Sequence, residues 1–349
     1  MNFYVLYWYF LIITSCHFML LASRNTAPVS RALRSSIGRH FFATTKPATR
    51  RHFTSSSSSS FDGSAAGFKY NVAVAYAPKL RSEELDPAKY PAGEDSFIHG
   101  ARQSDGNLVL GVADGVGGWS EVKGCSSADM SNVLCGLVSK LFKGQEVGGD
   151  NTKDLLARAY KDMKLAKVVK AGGTTICYGV LNSQTANLEV LNLGDSWCGV
   201  FRDFKCVEQT KFQTLGFNTP KQLSIIPKDL QEKAAREGRR YITNTPSDAD
   251  VYNFQLQKND IVVFATDGVT DNVYPEDLEM FLKDSYDSQV DNKDVDLQKV
   301  TDSLVNGVRV LSQNPKFPSP FSQEMSRVYG QKYYGGKADD ITVVILKVD

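Results

Sequence analysis

The chain has 349 residues, 40 of them Lys or Arg and 39 Asp or Glu, with a formal net charge of +1. A hydrophobic share of 42% and a charged share of 23% are ordinary for a globular protein, which excludes a fibrous or wholly disordered chain. The charge is uneven. Seven basic residues (Arg24, Arg31, Arg34, Arg39, Lys46, Arg50 and Arg51) precede the first acid, Asp62, and leave 33 basic against 39 acidic residues beyond it. An acidic body argues against general nucleic-acid binding.

Residues 1–61 read as an address rather than a fold. Residues 3–22 are uncharged and about long enough to span a bilayer as a helix, although Thr14, Ser15 and His17 weaken the run. From Arg24 to Phe61 the chain is rich in Arg, Ser and Thr and without acid until Asp62, the composition of a mitochondrial transit peptide. Mitochondrial targeting is the favoured reading. Membrane association through residues 3–22 stays open, as does the choice between Met1 and Met19 as the start. A secretory signal fits less well, because its apolar core is shorter and the Arg-rich tract does not belong to it.

The body runs from about residue 68 to 348. Tyr70–Tyr76 alternates like a half-buried strand, and Glu94–His99 and Leu108–Ala113 make further strands. Ser126 or Ser127 caps a helix reaching about Phe142, and a second helix covers about Lys153–Val169. Strands return at Thr174–Leu181, Asn187–Leu193 and Trp197–Phe201, broken by turns at 182–183 and 194–196. Residues 211–227 read as a loop. Strands at Val251–Leu256 and Ile261–Ala265 precede a helix opened by Pro275, a helix near Asp296–Ser312 and a last strand at Ile341–Val348. Strands separated by hairpin-length turns and interrupted by helices predict antiparallel sheets covered by helices, in one domain.

Acids stand at the strand ends: Glu94 and Asp95 before a strand, Asp114 after one, Asp195 in a Gly-Asp-Ser turn, Asp267 and Asp271 after another strand, and Asp339 and Asp340 before the last. An Asp at the mouth of a buried strand is costly unless something positive binds it. No Cys-x-x-Cys pair occurs, and three of the four histidines lie in the leader. The six cysteines therefore read as reduced thiols rather than disulfides or zinc ligands. An all-oxygen set suits Mg²⁺ or Mn²⁺, and two such ions activate a water toward phosphoesters. Taken singly, each Asp-Gly is more often a turn than a ligand. Gly115-Val116-Gly117-Gly118 lacks the following Lys-Ser/Thr of a phosphate loop, Gly172-Gly173-Thr174-Thr175 reads as a tight turn into a strand, and Trp119 and Trp197 read as packing.

In order, the body carries Val112-Ala113-Asp114-Gly115-Val116-Gly117-Gly118, Gly172-Gly173-Thr174-Thr175, Asn192-Leu193-Gly194-Asp195-Ser196, Ala265-Thr266-Asp267-Gly268-Val269-Thr270-Asp271-Asn272 and Asp339-Asp340-Ile341-Thr342. With these motifs it resembles the metal-dependent protein phosphatases of type 2C. Phe217-Asn218-Thr219-Pro220, Gln222-Leu223-Ser224-Ile225 and Ser319-Pro320-Phe321 resemble the mitochondrial branch of that family. The resemblance implies an α+β fold, a β-sandwich of two antiparallel sheets with helices on both outer faces. It implies phosphoserine and phosphothreonine hydrolysis with Mn²⁺ or Mg²⁺, on mitochondrial phosphoproteins that include enzymes of coenzyme Q biosynthesis. By resemblance Asp114 bridges two ions, Asp267 and Asp339 complete one shell, and Glu94 with the Gly115 carbonyl serves the other. Asp195 and Asp271, with Asp267, imply a weaker third ion, while Asp95 and Asp340 orient ligands or waters. Asp114 and Asp267 would thus be catalytic through the water between the ions.

Two positions depart from the family pattern. Tyr90 stands where many members carry an Arg that grips phosphate, and Val116 where many carry a His proposed as general acid. Lys89, Arg102 and Lys123 are weak candidates for the grip, and its assignment stays open. These departures keep an alternative in view, a phosphatase fold serving only as a binding or regulatory module.

Overall fold

The computed structural model describes residues 57–62, 68–81, 85–104, 106–119, 122, 125–144, 151–288 and 295–349. The apolar run 3–22, the Arg-rich tract 24–51 and Lys123 lie outside the described residues. Among the described residues no helix is long and apolar enough to cross a membrane.

Two antiparallel sheets face each other. One has six strands in the order Ser57–Asp62 (β1), Lys69–Ala77 (β2), Ile341–Val348 (β15), Ile261–Ala265 (β14), Trp197–Arg202 (β8) and Lys205–Gln209 (β9). The other has five, Asp250–Gln255 (β13), Asn187–Leu193 (β7), Ile176–Asn182 (β6), Leu108–Asp114 (β4) and Asp95–Arg102 (β3). Side-chain alternation explains the arrangement. Along β2, Tyr70, Val72, Val74 and Tyr76 enter the core between the sheets, while Ala73 and Ala75 face the other way. Val262 and Phe264 of β14, Val344 and Leu346 of β15, and Leu108, Leu110 and Val112 of β4 fill the same inner core. Both faces of these strands are covered, which is why they read as continuous apolar runs. Each such Val, Leu or Phe contributes roughly 1.5–3 kcal/mol by leaving water.

Helices cover both outer faces. Ser127–Lys143 (α1) and Thr152–Ala166 (α2) lay Met130, Leu134, Val138, Leu155 and Leu156 on the outer side of the five-stranded sheet. The Ser126 hydroxyl caps α1 by accepting from the Asp129 N–H at 3.1 Å. Pro275–Asp287 (α5) and Leu297–Ser312 (α6) cover the six-stranded sheet with Leu278, Phe281, Val300, Leu304 and Val308. The layers are helix, sheet, sheet, helix, as the family resemblance implied.

Several elements differ from the sequence reading. The expected strand Thr174–Leu181 breaks at Thr175 into Gly172–Thr174 (β5), which pairs with Leu223–Ile225 (β12), and β6. The break has a cause: the Thr175 N–H turns away to the Asp114 carbonyl at 2.9 Å. Residues 211–227, read as a loop, hold Thr214–Gly216 (β10), Thr219–Pro220 (β11) and β12. Among the elements not anticipated are β9, Lys228–Arg236 (α3) and Pro320–Tyr329 (α7). The first two are mostly exposed and polar, so no apolar period marks them. The edge strand β1 pairs with β2 from Ser57, so the sheet reaches into the segment read as leader. Among the described residues Cys125, Cys135, Cys177, Cys198 and Cys206 are free thiols, and burial pushes the Cys135 thiol up to about 12.

Candidate metal centre

One end of the sandwich collects the acids because register places them there. In the β3–β4 hairpin Asp95 stands opposite Asp114, so Glu94, Asp95 and Asp114 share that end of the five-stranded sheet. In the facing sheet Ala265 of β14 pairs with Val343 of β15. Asp267, two residues past β14, and Asp339–Asp340, just before β15, therefore meet at one edge. Asp267–Thr270 (α4) is a single helical turn that also sets Asp271 at its end. The turn between β7 and β8 delivers Asp195.

Backbone contacts fix this end tightly. The Gly115 N–H donates to the Glu94 carbonyl at 3.1 Å, and Gly115 bridges to Thr174. A Cβ on Gly115 would lie 2.4 Å from the Ser127 carbonyl oxygen, so only glycine fits. The Thr174 hydroxyl and the Thr175 N–H both donate to the Asp114 carbonyl, at 2.8 and 2.9 Å. The Gly-Gly-Thr-Thr motif is thus the brace of the Asp114 backbone. Thr266 joins the two sheets: its hydroxyl donates to Asp95 Oδ2 at 2.9 Å and accepts from the Thr342 N–H at 3.1 Å. Asp340 accepts from the Glu94 N–H at 3.0 Å, from the Lys79 N–H at 2.9 Å and from both terminal nitrogens of Arg81.

The electrostatics are those of crowded carboxylates. Burial, and then Asp267, Asp95, Asp339 and Asp195, push the Asp114 carboxyl well above its ordinary range. Burial with Asp267 and Asp271 does the same to Asp195, and burial with Asp340 to Asp95. Asp271 is pushed up to about 7, burial and Asp267 outweighing the Lys337 ammonium beside it. Asp339 goes the other way. Burial opposes its ionisation, but Lys337 and Lys79 overcome that and hold it below the usual value.

Among the described residues, no three Asp, Glu, His or Cys side chains close around one point as a ready-made cage. Basic side chains stand between them. Lys79 lies 2.7 Å from Asp339, Arg81 2.8 Å from Glu94, and Lys337 2.6 Å from Asp267. The donor chemistry still fits a hard divalent ion. Asp95 Oδ1 and Asp195 Oδ1 are buried with no hydrogen-bond partner in the structure. Buried carboxylate oxygens without donors are costly, and a cation satisfies them. No hydrogen bond reaches the Asp114 carboxylate from any described residue, which leaves both its oxygens available.

Sequence reasoning missed five contributors. Thr266 and Asn272 sat inside a quoted motif without a role, while Lys79, Arg81 and Lys337 carried no motif at all. Of the weak candidates for phosphate grip, Lys89 pairs with Asp129 at 2.8 Å, and Tyr90 donates to the same carboxylate at 2.5 Å. Trp119 is buried, stacked on Tyr241 at 5.1 Å between ring centroids, with its N–H on Gln222 Oε1 at 3.0 Å. Trp197 is buried against Phe201. Both are packing residues, as expected.

Known proteins decide what this geometry belongs to. The family description "Stage II sporulation protein E" matches residues 104–349. "Protein phosphatase 2C homolog 7, mitochondrial" of Saccharomyces cerevisiae is 46% identical over 298 residues, covering 82% of this chain and 85% of its own. The chain belongs to the type 2C protein phosphatases. It is a metal-dependent protein serine/threonine phosphatase. "Protein phosphatase PTC7 homolog fig" of Drosophila willistoni is 34% identical over 257 residues, 73% of this chain and 77% of its own. The solved "photosystem II phosphatase PBCP" superposes with a TM-score of 0.62 at 27% identity, over 80% of this chain and 99% of that one. The layered β-sandwich is thus the type 2C fold.

Proposed function

We propose that this phosphatase removes phosphate from phosphoserine and phosphothreonine of mitochondrial phosphoproteins at a two-ion site, with a targeting leader within residues 1–61 and 68–348 as the catalytic domain. Asp114 would hold both ions, with Asp267 and Asp339 serving one and Glu94 with the Gly115 carbonyl serving the other. Asp195 and Asp271 border a third cation position beside Asp267. Asp95 and Asp340 orient the site through Thr266, Glu94 and Arg81. When bound, Mn²⁺ or Mg²⁺ supplies the Lewis acidity that readies water for attack near neutral pH and offsets the charge on the phosphate.

The observation that carries this reading is the gathering of eight acids from separate segments at one sandwich end, with the Asp114 carboxylate accepting no hydrogen bond from any described residue. Val116 supplies no proton donor, and its carbonyl is tied to the Ser127 hydroxyl at 2.6 Å. Arg81 and Lys79, beside Glu94, provide the positive charge that a phosphate monoester meets on approach. The mitochondrial name of the yeast relative supports the compartment. Enzymes of coenzyme Q biosynthesis, implied by resemblance to the mitochondrial branch, are the substrates to test first.

The test is phosphate release from a phosphothreonine peptide by the full chain with Mn²⁺, with Mg²⁺ and with chelator. Turnover that needs metal and is lost in Asp267→Asn supports the site. Equal turnover in chelator, or an unimpaired Asp267→Asn enzyme, overturns it. Import and cleavage of the full chain by isolated mitochondria checks the address.

A further inference from the structure

The environment of Lys337 is built around it from several distant segments. Asn272, fully buried, clamps its backbone from both sides: Asn272 Oδ1 accepts from the Lys337 N–H, and Asn272 Nδ2 donates to the Lys337 carbonyl, each at 2.9 Å. The same Nδ2 donates to the Gly268 carbonyl at 2.9 Å, which ties the segment carrying Lys337 to α4. The side chain is 16% exposed. Its ammonium donates to Asp271 Oδ2 at 2.5 Å, to Asp267 Oδ2 at 2.6 Å and to Asn218 Oδ1 at 3.1 Å. An ammonium has three N–H donors, and these three acceptors use them all. The Phe321 ring lies 5.2 Å from the nitrogen, packed in turn on Phe217 at 5.0 Å between ring centroids. The Phe321 N–H also donates to the Asp271 carbonyl at 3.0 Å. Asn218 adopts a left-handed backbone with φ +49°, which aligns with the tolerance of Asn for that region.

Thus Phe217-Asn218 and Ser319-Pro320-Phe321, which the catalytic acids do not explain, converge with Asn272 on one lysine. Its nitrogen sits among Asp267, Asp271 and Asp339, the last 3.5 Å away. Divalent ions hold carboxylate oxygens at about 2.0–2.6 Å, so an ion on the same Asp267 and Asp271 oxygens and this ammonium exclude each other.

We propose that Lys337 is a tethered cation occupying the third-ion position of this enzyme, so that the chain takes up two divalent ions and not three. The proposal rests on the two-ion reading above. Lys337 neutralises Asp267 and Asp271 without an entropic cost of capturing a free ion, and holds Asp267 aimed at the remaining pair. Asp195, whose Oδ1 has no partner, is the residue that a third ion would recruit once the ammonium is removed.

The experiment counts Mn²⁺ bound to the full chain by electron paramagnetic resonance of the free ion across a titration, with thermal unfolding as the check on folding. The wild type is expected to saturate at two ions, Lys337→Met at three, and Lys337→Met with Asp195→Asn at two. Lys337→Arg, which keeps the charge, is expected to stay at two and covers the case in which Lys337→Met does not fold. Three ions in the wild type, in Lys337→Arg, or two in folded Lys337→Met, overturn the role of Lys337 alone. No ion bound by the wild type overturns both this role and the two-ion site.

Discussion

Gly268 is the point where the two halves of the carboxylate cluster touch, and replacing it with alanine pries them apart. A Cβ there would lie 1.9 Å from the Asp340 carbonyl oxygen, 2.9 Å from its carbon and 3.2 Å from Ile341 Cγ1. The nearest of these is backbone, so no rotamer relieves it. The segment carrying Asp267 must part from the segment carrying Asp339 and Asp340 by about 1 Å to restore ordinary contact. Metal sites tolerate ligand shifts of only about 0.2 Å. Disturbing the residues that support ligands costs about 10–100-fold in metal affinity, which is the loss expected here. Overpacking a buried site costs about 1–3 kcal/mol, or roughly 2–6 °C in Tm for a domain of this size. Calorimetric titration with Mn²⁺ and differential scanning calorimetry read the two effects separately. Gly118→Ala is the control, since a Cβ there meets no atom within 4 Å. Equal Mn²⁺ affinity and equal Tm in the two variants would refute the claim that this close approach sets the site.

The pH dependence of the metal-free protein follows from the crowded acids. Asp95, Asp114, Asp195 and Asp271 hold protons more tightly folded than unfolded, so stability falls as pH rises through their folded values. Asp271 alone, at about 7, accounts for a loss on the order of 2 kcal/mol between about pH 5.5 and about pH 8. In chelator, Tm is expected to drop over that range and Mn²⁺ to reverse the drop; a Tm that rises with pH in chelator contradicts this. Asp339, held low, contributes stability that is lost only on acidification below its unfolded value, outside this window. Thr266→Val removes the hydroxyl between Asp95 and Thr342 and leaves a buried N–H without its acceptor, at a cost of about 1–3 kcal/mol. Urea unfolding that shows no change would remove Thr266 from the account. Asp260→Ala takes away the buried acceptor of two Arg202 N–H bonds and of the Gln257 N–H, and is expected to lower stability by about 1–3 kcal/mol. Mn²⁺ affinity should be untouched there, because the pair lies at the opposite end of β14; a parallel loss of affinity would show that the two ends are coupled.

Antiparallel sheets covered by helices were legible in the sequence because the strands are buried on both faces and the helices carry regular apolar stripes, while the sandwich itself came from the family resemblance. Ile261–Ala265 and Leu108–Val112 can be little other than interior strands, and Met130, Leu134 and Val138 recur at helical spacing. The acids were legible too, each standing at a strand end beside a turn. Lys79, Arg81 and Lys337 were not, because a lysine or arginine in a loop carries no pattern and gains meaning only from the carboxylates that tertiary contacts bring to it. The same holds for Thr266, whose hydroxyl reaches Asp95 across 171 positions of chain. The edge elements β9 and α3 escaped because exposed polar segments have no apolar period to read. The sequence by itself determined the main strands and helices and the list of acids, since burial patterns are local. Only the tertiary structure decided which cation faces which carboxylate, since that depends on distances between segments that no spacing along the chain encodes.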